Sequence, residues 1–374
     1  MGKDQNHLCR RTASSCPAAW LLTFLVTVAV LIGLPATAAA TFAFNTDPAR
    51  PEVWVSANDD GSEATGLGSG LVVGVSPDGD RLAFERGGHF SGWKLIVYDL
   101  ATGRSSVLLT HLHTGSEKLL GEPAAFAWSP DGTEVAAVQI EPRTDRQTLY
   151  VIGVGGAASK TRIATGRFRR VSFSPDGSEV VFGLARAPGD SARTDIARAP
   201  VSGGPLTFLT HDGDSGWPLW GPSGRIAFTK RMKDDLFDLY VMDPNGHRVK
   251  RLTRLGGSEA GFFPAFWFSS GERLVADYES YEKNYAALVE PGAGTVAALN
   301  PPLSGTGLAG FKVGFAATGL SPDERTVRGC QGSMVDALRP GAFVPVTGGS
   351  LTVSKKDIYS PSWSGVPNAG TVPC

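Results

Sequence analysis

The chain has 374 residues, a formal net charge of −1, 47 glycines and 25 prolines. The near balance of charge gives no sign of a polyanionic partner such as nucleic acid, and none is expected. The length exceeds the roughly 250–300 residues that one hydrophobic core organises, which points to repeated units that bury their faces against their neighbours.

Residues 1–17 are polar and slightly basic, and Ala18 to Leu34 form a run without a charge. Pro35-Ala36-Thr37-Ala38-Ala39-Ala40 then offers two Ala-x-Ala frames. Residues 1–40 therefore read as a secretory signal peptide with cleavage after Ala40. The competing reading is an uncleaved N-terminal anchor with Arg10 and Arg11 left in the cytoplasm. Either way the protein is exported, to the periplasm, the exterior or the cell envelope, and only an uncleaved segment would hold it to a membrane. Residues 41–374 remain as the folded domain.

Thr41–Thr46 has the pattern of a half-buried strand, and Glu52–Ser56 of the strand that follows it, with a short segment ending near Leu67. The tetrapeptide Ser76-Pro77-Asp78-Gly79 then opens a series: Ser129-Pro130-Asp131-Gly132, Ser174-Pro175-Asp176-Gly177, Gly221-Pro222-Ser223-Gly224, Phe268-Ser269-Ser270-Gly271 and Ser321-Pro322-Asp323-Glu324. Proline presets the second turn position and glycine suits the exit of a type I turn. The steps between the copies are 45 to 53 residues, a period that marks a β-propeller of four-stranded blades. Third strands end in glycine turns such as Ser202-Gly203-Gly204, and fourth strands end in Leu-Thr (Leu109-Thr110, Leu209-Thr210, Leu252-Thr253). Near the C-terminus, Asp357–Ser364 reads as one more first strand, with Trp363 in the slot of Trp128, Trp220 and Trp267. Three strands at the head and one at the tail make a split blade that removes the exposed sheet edges. The expectation is an all-β, seven-bladed propeller closed by that split blade, with six blades as the alternative.

The series Trp-Ser-Pro-Asp-Gly, Ile/Val-Ala-Phe, Leu-Tyr-Val-Met-Asp and Arg-Leu-Thr resembles the TolB-like β-propeller repeat over essentially all of the chain after residue 40. The resemblance implies the fold and much less about activity. The N-terminal α/β domain that precedes the TolB propeller has no counterpart in this sequence.

Three groups of residues carry candidate chemistry. Gly213-Asp214-Ser215-Gly216 matches the serine-nucleophile tetrapeptide of chymotrypsin-like proteases, but its context is a polar loop, and no catalytic residue is expected. His111, His113 and His211 would be the metal ligands of a metal-dependent carbohydrate-active enzyme resembling propeller oligosaccharide lyases; the other reading is solvated loop histidines. No cofactor is expected, a divalent metal being left open. Cys330 and Cys374 are the only cysteines of the mature chain, and a disulfide between them and two free thiols are both open readings.

What remains is the face where the fourth-to-first and second-to-third strand connections gather around the channel. There Glu122, Arg143, Arg169, Trp217, Phe263 and Tyr359 are the candidate ligand-binding residues, a mixture of charge and aromatics suited to a protein, peptide or glycan of the envelope. The expected function is a monomeric, non-catalytic binding scaffold; the alternative is the metal-dependent enzyme.

Overall fold

The computed structural model describes residues 41–363, apart from 47–51, 57, 59–61, 88–92, 111–125, 142–143, 145, 156–158, 187–192, 256–259, 281–283, 300–313, 333–340, 349–351 and 354–358. All described residues belong to the unit that runs from Thr37 to Cys374. The signal reading of residues 1–40, together with Glu122, Arg143, His111, His113 and Cys374, lies outside them.

The described chain is β-strand throughout, apart from one turn of 3-10 helix at Lys233–Asp235. The first unit has β1 (Phe42–Thr46), β2 (Glu52–Ser56) and β3 (Thr65–Ser69). The second has β4 (Leu71–Val75), β5 (Arg81–Arg86), β6 (Lys94–Asp99) and β7 (Arg104–Thr110). The third has β8 (Phe126–Trp128), β9 (Glu134–Glu141), β10 (Arg146–Gly153) and β11 (Lys160–Thr165). The fourth has β12 (Phe168–Phe173), β13 (Glu179–Ala185), β14 (Thr194–Pro200) and β15 (Thr207–Phe208). Then come β16 (Ser215–Trp220), β17 (Ile226–Arg231), β18 (Phe237–Met242) and β19 (Lys250–Arg251). After them stand β20 (Ala260–Trp267), β21 (Leu274–Ser280), β22 (Asn284–Glu290) and β23 (Thr295–Ala298). The last are β24 (Gly314–Leu320), β25 (Thr326–Gly332), β26 (Gly341–Pro345), β27 (Thr352–Val353) and β28 (Tyr359–Trp363).

The architecture is an all-β propeller, but its sheets correct the expected count. Five separate four-stranded blades form among the described residues, not seven and not six, and β16 to β23 run together as one eight-stranded sheet. The junction is a single parallel pairing of Phe237 in β18 with Gly261 in β20. Glycine is what permits it, since a Cβ on residue 261 would stand 2.9 Å from the Cβ of Phe237 and 2.8 Å from the ring of Phe263.

The split blade is present. β28 pairs antiparallel with β1, with Phe42 opposite Trp363 and Asn45 opposite Tyr359. β28 also packs against β4 on one side and β24 on the other, which ties the two ends of the described chain together.

The repeated turn is held by its own side chains. Ser174 Oγ donates to Asp176 Oδ1 at 2.6 Å and accepts the Glu179 N–H at 3.0 Å. Ser76, Ser129 and Ser321 do the same in their turns. The Ser174 hydroxyl, and after it the Ser178 N–H, lower the Asp176 carboxyl to about 2. Gly177 has φ 73°, and in the last copy Glu324 takes the same left-handed conformation at φ 57°.

Two further devices join neighbouring units. Trp128 Nε1 donates to the Gly74 carbonyl at 3.2 Å, and Trp267 Nε1 to the Leu219 carbonyl at 3.2 Å, each reaching the inner strand of the preceding unit. In the other direction, a polar residue late in the second strand reaches the inner strand of the next unit. Asn45 Nδ2 donates to the Gly70 carbonyl at 2.7 Å, and its Oδ1 accepts the Val72 N–H at 2.9 Å. Thr229 donates to the Phe262 carbonyl at 3.1 Å, and Asp277 accepts the Ala317 N–H at 2.8 Å. The Leu-Thr endings also have a structural role. Thr253 Oγ1 accepts the Leu239 N–H at 2.9 Å and donates to buried Asp238 at 2.7 Å, so the fourth strand is latched to the third. Between the units the apolar faces close into shared cores, as where Phe173, Phe182 and Val171 of the fourth unit meet Val138 and Leu149 of the third.

Candidate binding site at the channel mouth

The inner strands do not run in regular register. β12 shifts between Arg169 and Val171, β16 between Gly216 and Leu219, and β20 between Pro264 and Phe266. Such bulges re-aim side chains and are frequent beside functional sites. Two bulge residues also have left-handed backbone, Arg170 at φ 39° and Trp217 at φ 48°. For non-glycine residues this costs on the order of 1–3 kcal/mol and persists only where the surroundings impose it. Each stands four residues before the start of its turn motif, Ser174 or Gly221.

The bulges assemble a half-buried cluster of three aromatic rings and one guanidinium. Trp217 meets Phe263 edge-on with centroids 5.2 Å apart and Phe237 likewise at 5.9 Å, while Phe237 and Phe263 lie 5.8 Å apart. The Arg169 guanidinium sits 5.1 Å from the Trp217 ring centroid, within cation–π range. Arg169, Trp217 and Phe263, named from the sequence as separate candidates, are thus brought together. Tyr359 opens β28, opposite Asn45.

Arg170, the residue after Arg169, links β12 to β20. Its Nη1 donates to the Pro264 carbonyl and its Nη2 to the Ala265 carbonyl at 2.6 Å, while its Nε is buried without a hydrogen bond. Burial lowers the guanidinium to about 10, against the opposing pull of Asp277, so it remains a cation at neutral pH. Asp277 is itself pushed well above the usual carboxylate range by burial, with the Ala317 N–H opposing, Glu279 adding and Arg170 opposing.

The other candidates are placed differently. Ser215 is buried, and its hydroxyl donates to Asp212 at 3.0 and 3.1 Å rather than to an imidazole. Asp212 is also paired with Lys230 at 2.8 Å, and Asp214 with Arg231 at 3.0 Å, so the tetrapeptide forms a braced loop. His211 is exposed, its ring 6.2 Å from that of Phe208 and its backbone carbonyl accepting from Arg186. Among the described residues no three His, Cys, Asp or Glu side chains gather to hold a metal ion. The carboxylates beside His211 in sequence, Asp212 and Asp214, are paired with Lys230 and Arg231. Cys330 lies in β25, opposite Ala316 and Gly341.

Sequence reasoning missed Phe237 and Arg170. Arg170 was within reach, because it occupies the same slot as Trp217 relative to the turn motif. Phe237 joins through the Gly261 pairing, which no spacing announces.

No family model matches the chain. It is 28% identical over 167 residues to an uncharacterised protein of Agrobacterium fabrum strain C58, a match that covers 42% of this chain and 54% of that one. The chain thus spans about half the length of the curated relative it matches. Among solved structures it is similar to TolB from Acinetobacter baumannii, with TM-score 0.50 and 16% identity over 89% of this chain and 69% of that one. It is also similar to an oligogalacturonate lyase in complex with manganese, with TM-score 0.54 and 13% identity over 84% of this chain and 83% of that one. At these identities the likeness is one of fold, and the fold is that of a β-propeller. No helix among the described residues is long and apolar enough to cross a membrane.

Proposed function

We propose that the chain is an exported, non-catalytic binding scaffold that engages a protein or peptide of the cell envelope at the channel mouth. The observation that carries this reading is the half-buried Arg169–Trp217–Phe237–Phe263 cluster. Aromatic and arginine side chains of this kind dominate recognition energetics where they stand in partly desolvated clusters. The cluster is built on bulged inner strands with strained backbone, and apolar packing alone would not need that strain.

Cross-linking the tagged protein in the envelope fraction tests the reading. A partner retained by the wild type and by Val107→Ser, on an exposed outer strand, should be lost with Trp217→Ala. Equal capture by Trp217→Ala would remove the mouth from the reading. Export is tested by mass spectrometry of the mature N-terminus, expected at Thr41; an intact segment 1–40 in the membrane fraction would replace cleavage with anchoring.

The fold likeness to an oligogalacturonate lyase supports a second reading, a metal-dependent carbohydrate-active enzyme with His111, His113 and His211 as ligands. Metal analysis of the purified protein decides it: a transition metal retained by the wild type and absent from His211→Ala would favour the enzyme.

A further inference from the structure

The closest and most nearly parallel pair of aromatic rings among the described residues lies outside the mouth cluster. Tyr278 of β21 and Tyr285 of β22 stand directly opposite in the strand register. Their rings stack with centroids 4.6 Å apart and planes 20° from parallel. Phe262 of β20 meets Tyr278 edge-on at 5.1 Å and Tyr285 at 6.4 Å, and both tyrosines are half-buried. No other tyrosine ring among the described residues meets a second one. Tyr240 stacks on Phe228 and donates its hydroxyl to the Met232 sulfur at 3.6 Å, and Tyr150 lies under Lys160. The fold does not require rings at this place. One residue past the Asn45 position, other units pair Thr46 with Glu52, Arg86 with Lys94, Gln139 with Thr148, Leu184 with Asp195 and Lys230 with Asp238. Stacking contributes on the order of 0.5–1.5 kcal/mol, and any two aromatic side chains would supply it. What sets two phenols apart is one-electron chemistry. Tyrosyl radicals couple only when a ring carbon beside each hydroxyl can meet the other, and holding the two reactants in contact favours such a step strongly over free encounter. The stack supplies that contact.

We propose that Tyr278 and Tyr285 form an oxidative modification site, at which a one-electron oxidant, hydrogen peroxide acting through a haem peroxidase, joins the two rings as dityrosine. Each phenol gives one electron to the peroxidase and its hydroxyl proton to water. The two phenoxyl radicals then form a carbon–carbon bond through one Cε of each ring, and the hydrogens on those carbons shift to the oxygens as the rings regain aromaticity. The peroxide takes up the two electrons and two protons and ends as two waters, so the protein loses two hydrogens in all. The link fastens β21 to β22 in the unit whose first strand carries Phe263, and it does not depend on the binding-scaffold reading.

The mature protein, dilute enough to stay unlinked to other copies, is treated with hydrogen peroxide and a haem peroxidase, and its monomer is digested with trypsin. Cleavage after Arg273 and Lys283 puts Tyr285 on a different peptide from Tyr278 and Tyr281. The expected product is peptide 274–283 joined to peptide 284–312, two hydrogens lighter than the pair, with dityrosine fluorescence. The link should persist in Tyr281→Phe and in Tyr240→Phe. In Tyr285→Phe, which keeps the ring and removes the phenol, its yield in the monomer should fall at least about tenfold, because the held partner is gone. Loss of the link in Tyr281→Phe, cross-links formed only between molecules, or no link in the monomer overturns the proposal.

Discussion

Arg170 on β12 and Ala265 on β20 are joined by a 2.6 Å hydrogen bond from Nη2 to the carbonyl oxygen, a contact between the inner strands of two units that are not consecutive in the chain, β16 opening the unit between them. The same guanidinium also holds the Pro264 carbonyl. Both acceptors lie in the bulged part of β20 and the donor in the bulge of β12, so two irregularities 95 residues apart in sequence complete each other. The mouth cluster rests on this brace, because Arg169 and Phe263 are the residues immediately before its two ends.

Replacing Arg170 by Met should therefore destabilise the domain while preserving bulk. Each buried carbonyl left without a donor costs about 1–3 kcal/mol, partly offset by release from desolvating a cation. A lowered Tm together with weaker envelope capture is expected. An unchanged Tm would mean that the carbonyls find other donors and that the brace is dispensable.

Asn45 offers a second test, at the seam between the split blade and the next unit. Its side chain makes both a donor and an acceptor bond to the segment Gly70–Val72, a pairing that neither Ala nor Asp reproduces. Asn45→Ala should cost roughly 2–6 kcal/mol, two buried partners left unsatisfied at about 1–3 kcal/mol each, and hydrogen exchange at the Val72 amide should accelerate. Protection of that amide at the wild-type level in Asn45→Ala would show that the seam is held elsewhere.

These two residues mark what the sequence could and could not announce. The turn motif was legible because its chemistry is local: Ser174, Asp176 and Gly177 satisfy one another within a few residues. The split blade was legible because the head lacked a first strand and the tail lacked a second. The role of Asn45 was hidden by variety, since Asn45, Thr229 and Asp277 meet the same geometric need with three different side chains. The merging of two repeats into one eight-stranded sheet was not legible at all. It depends on the backbone of Gly261 approaching Phe237, a tertiary contact with no signature in spacing. At the mouth, the separate candidates were readable as loop and inner-strand residues, but their convergence required the bulges.

Glu85 predicts a pH dependence. It stands in β5 at the place Asn45 holds in β1, and burial alone pushes its carboxyl well above the usual 4.5. A carboxyl whose folded value is raised favours the folded state most below its unfolded value; the stability is lost as pH rises from about 4.5 toward the folded value. Glu85→Gln keeps the shape and removes the ionisation. The variant should match the wild type near pH 4 and exceed it at pH 7, with a flatter stability profile between. A variant less stable than the wild type at pH 7 would mean that the carboxylate is compensated and that burial does not govern it.

The last prediction concerns Gly261, where fold and site meet. A methyl group there would be driven into the Phe237 Cβ at 2.9 Å and the Phe263 ring at 2.8 Å, distances that ordinary side-chain carbons do not tolerate. Relief requires β18 and β20 to separate, which breaks the pairing of Phe237 with Gly261, or the Phe263 ring to leave its place against Trp217. Overpacking of this kind costs about 1–3 kcal/mol, less than a propeller of this size needs to stay folded. Gly261→Ala should therefore remain folded with a lower Tm, while the environment of Trp217 changes. That change is read as the fluorescence difference between each protein and its Trp217→Phe counterpart, which isolates this indole from the other tryptophans. Envelope capture should weaken in parallel, because the rings that form the mouth are the ones displaced. If Gly261→Ala shifts the Trp217 signal but leaves capture intact, the aromatic cluster is a structural plug and the binding surface lies elsewhere on that face. If neither changes, the two strands can part without disturbing the mouth, and the eight-stranded sheet has no bearing on recognition.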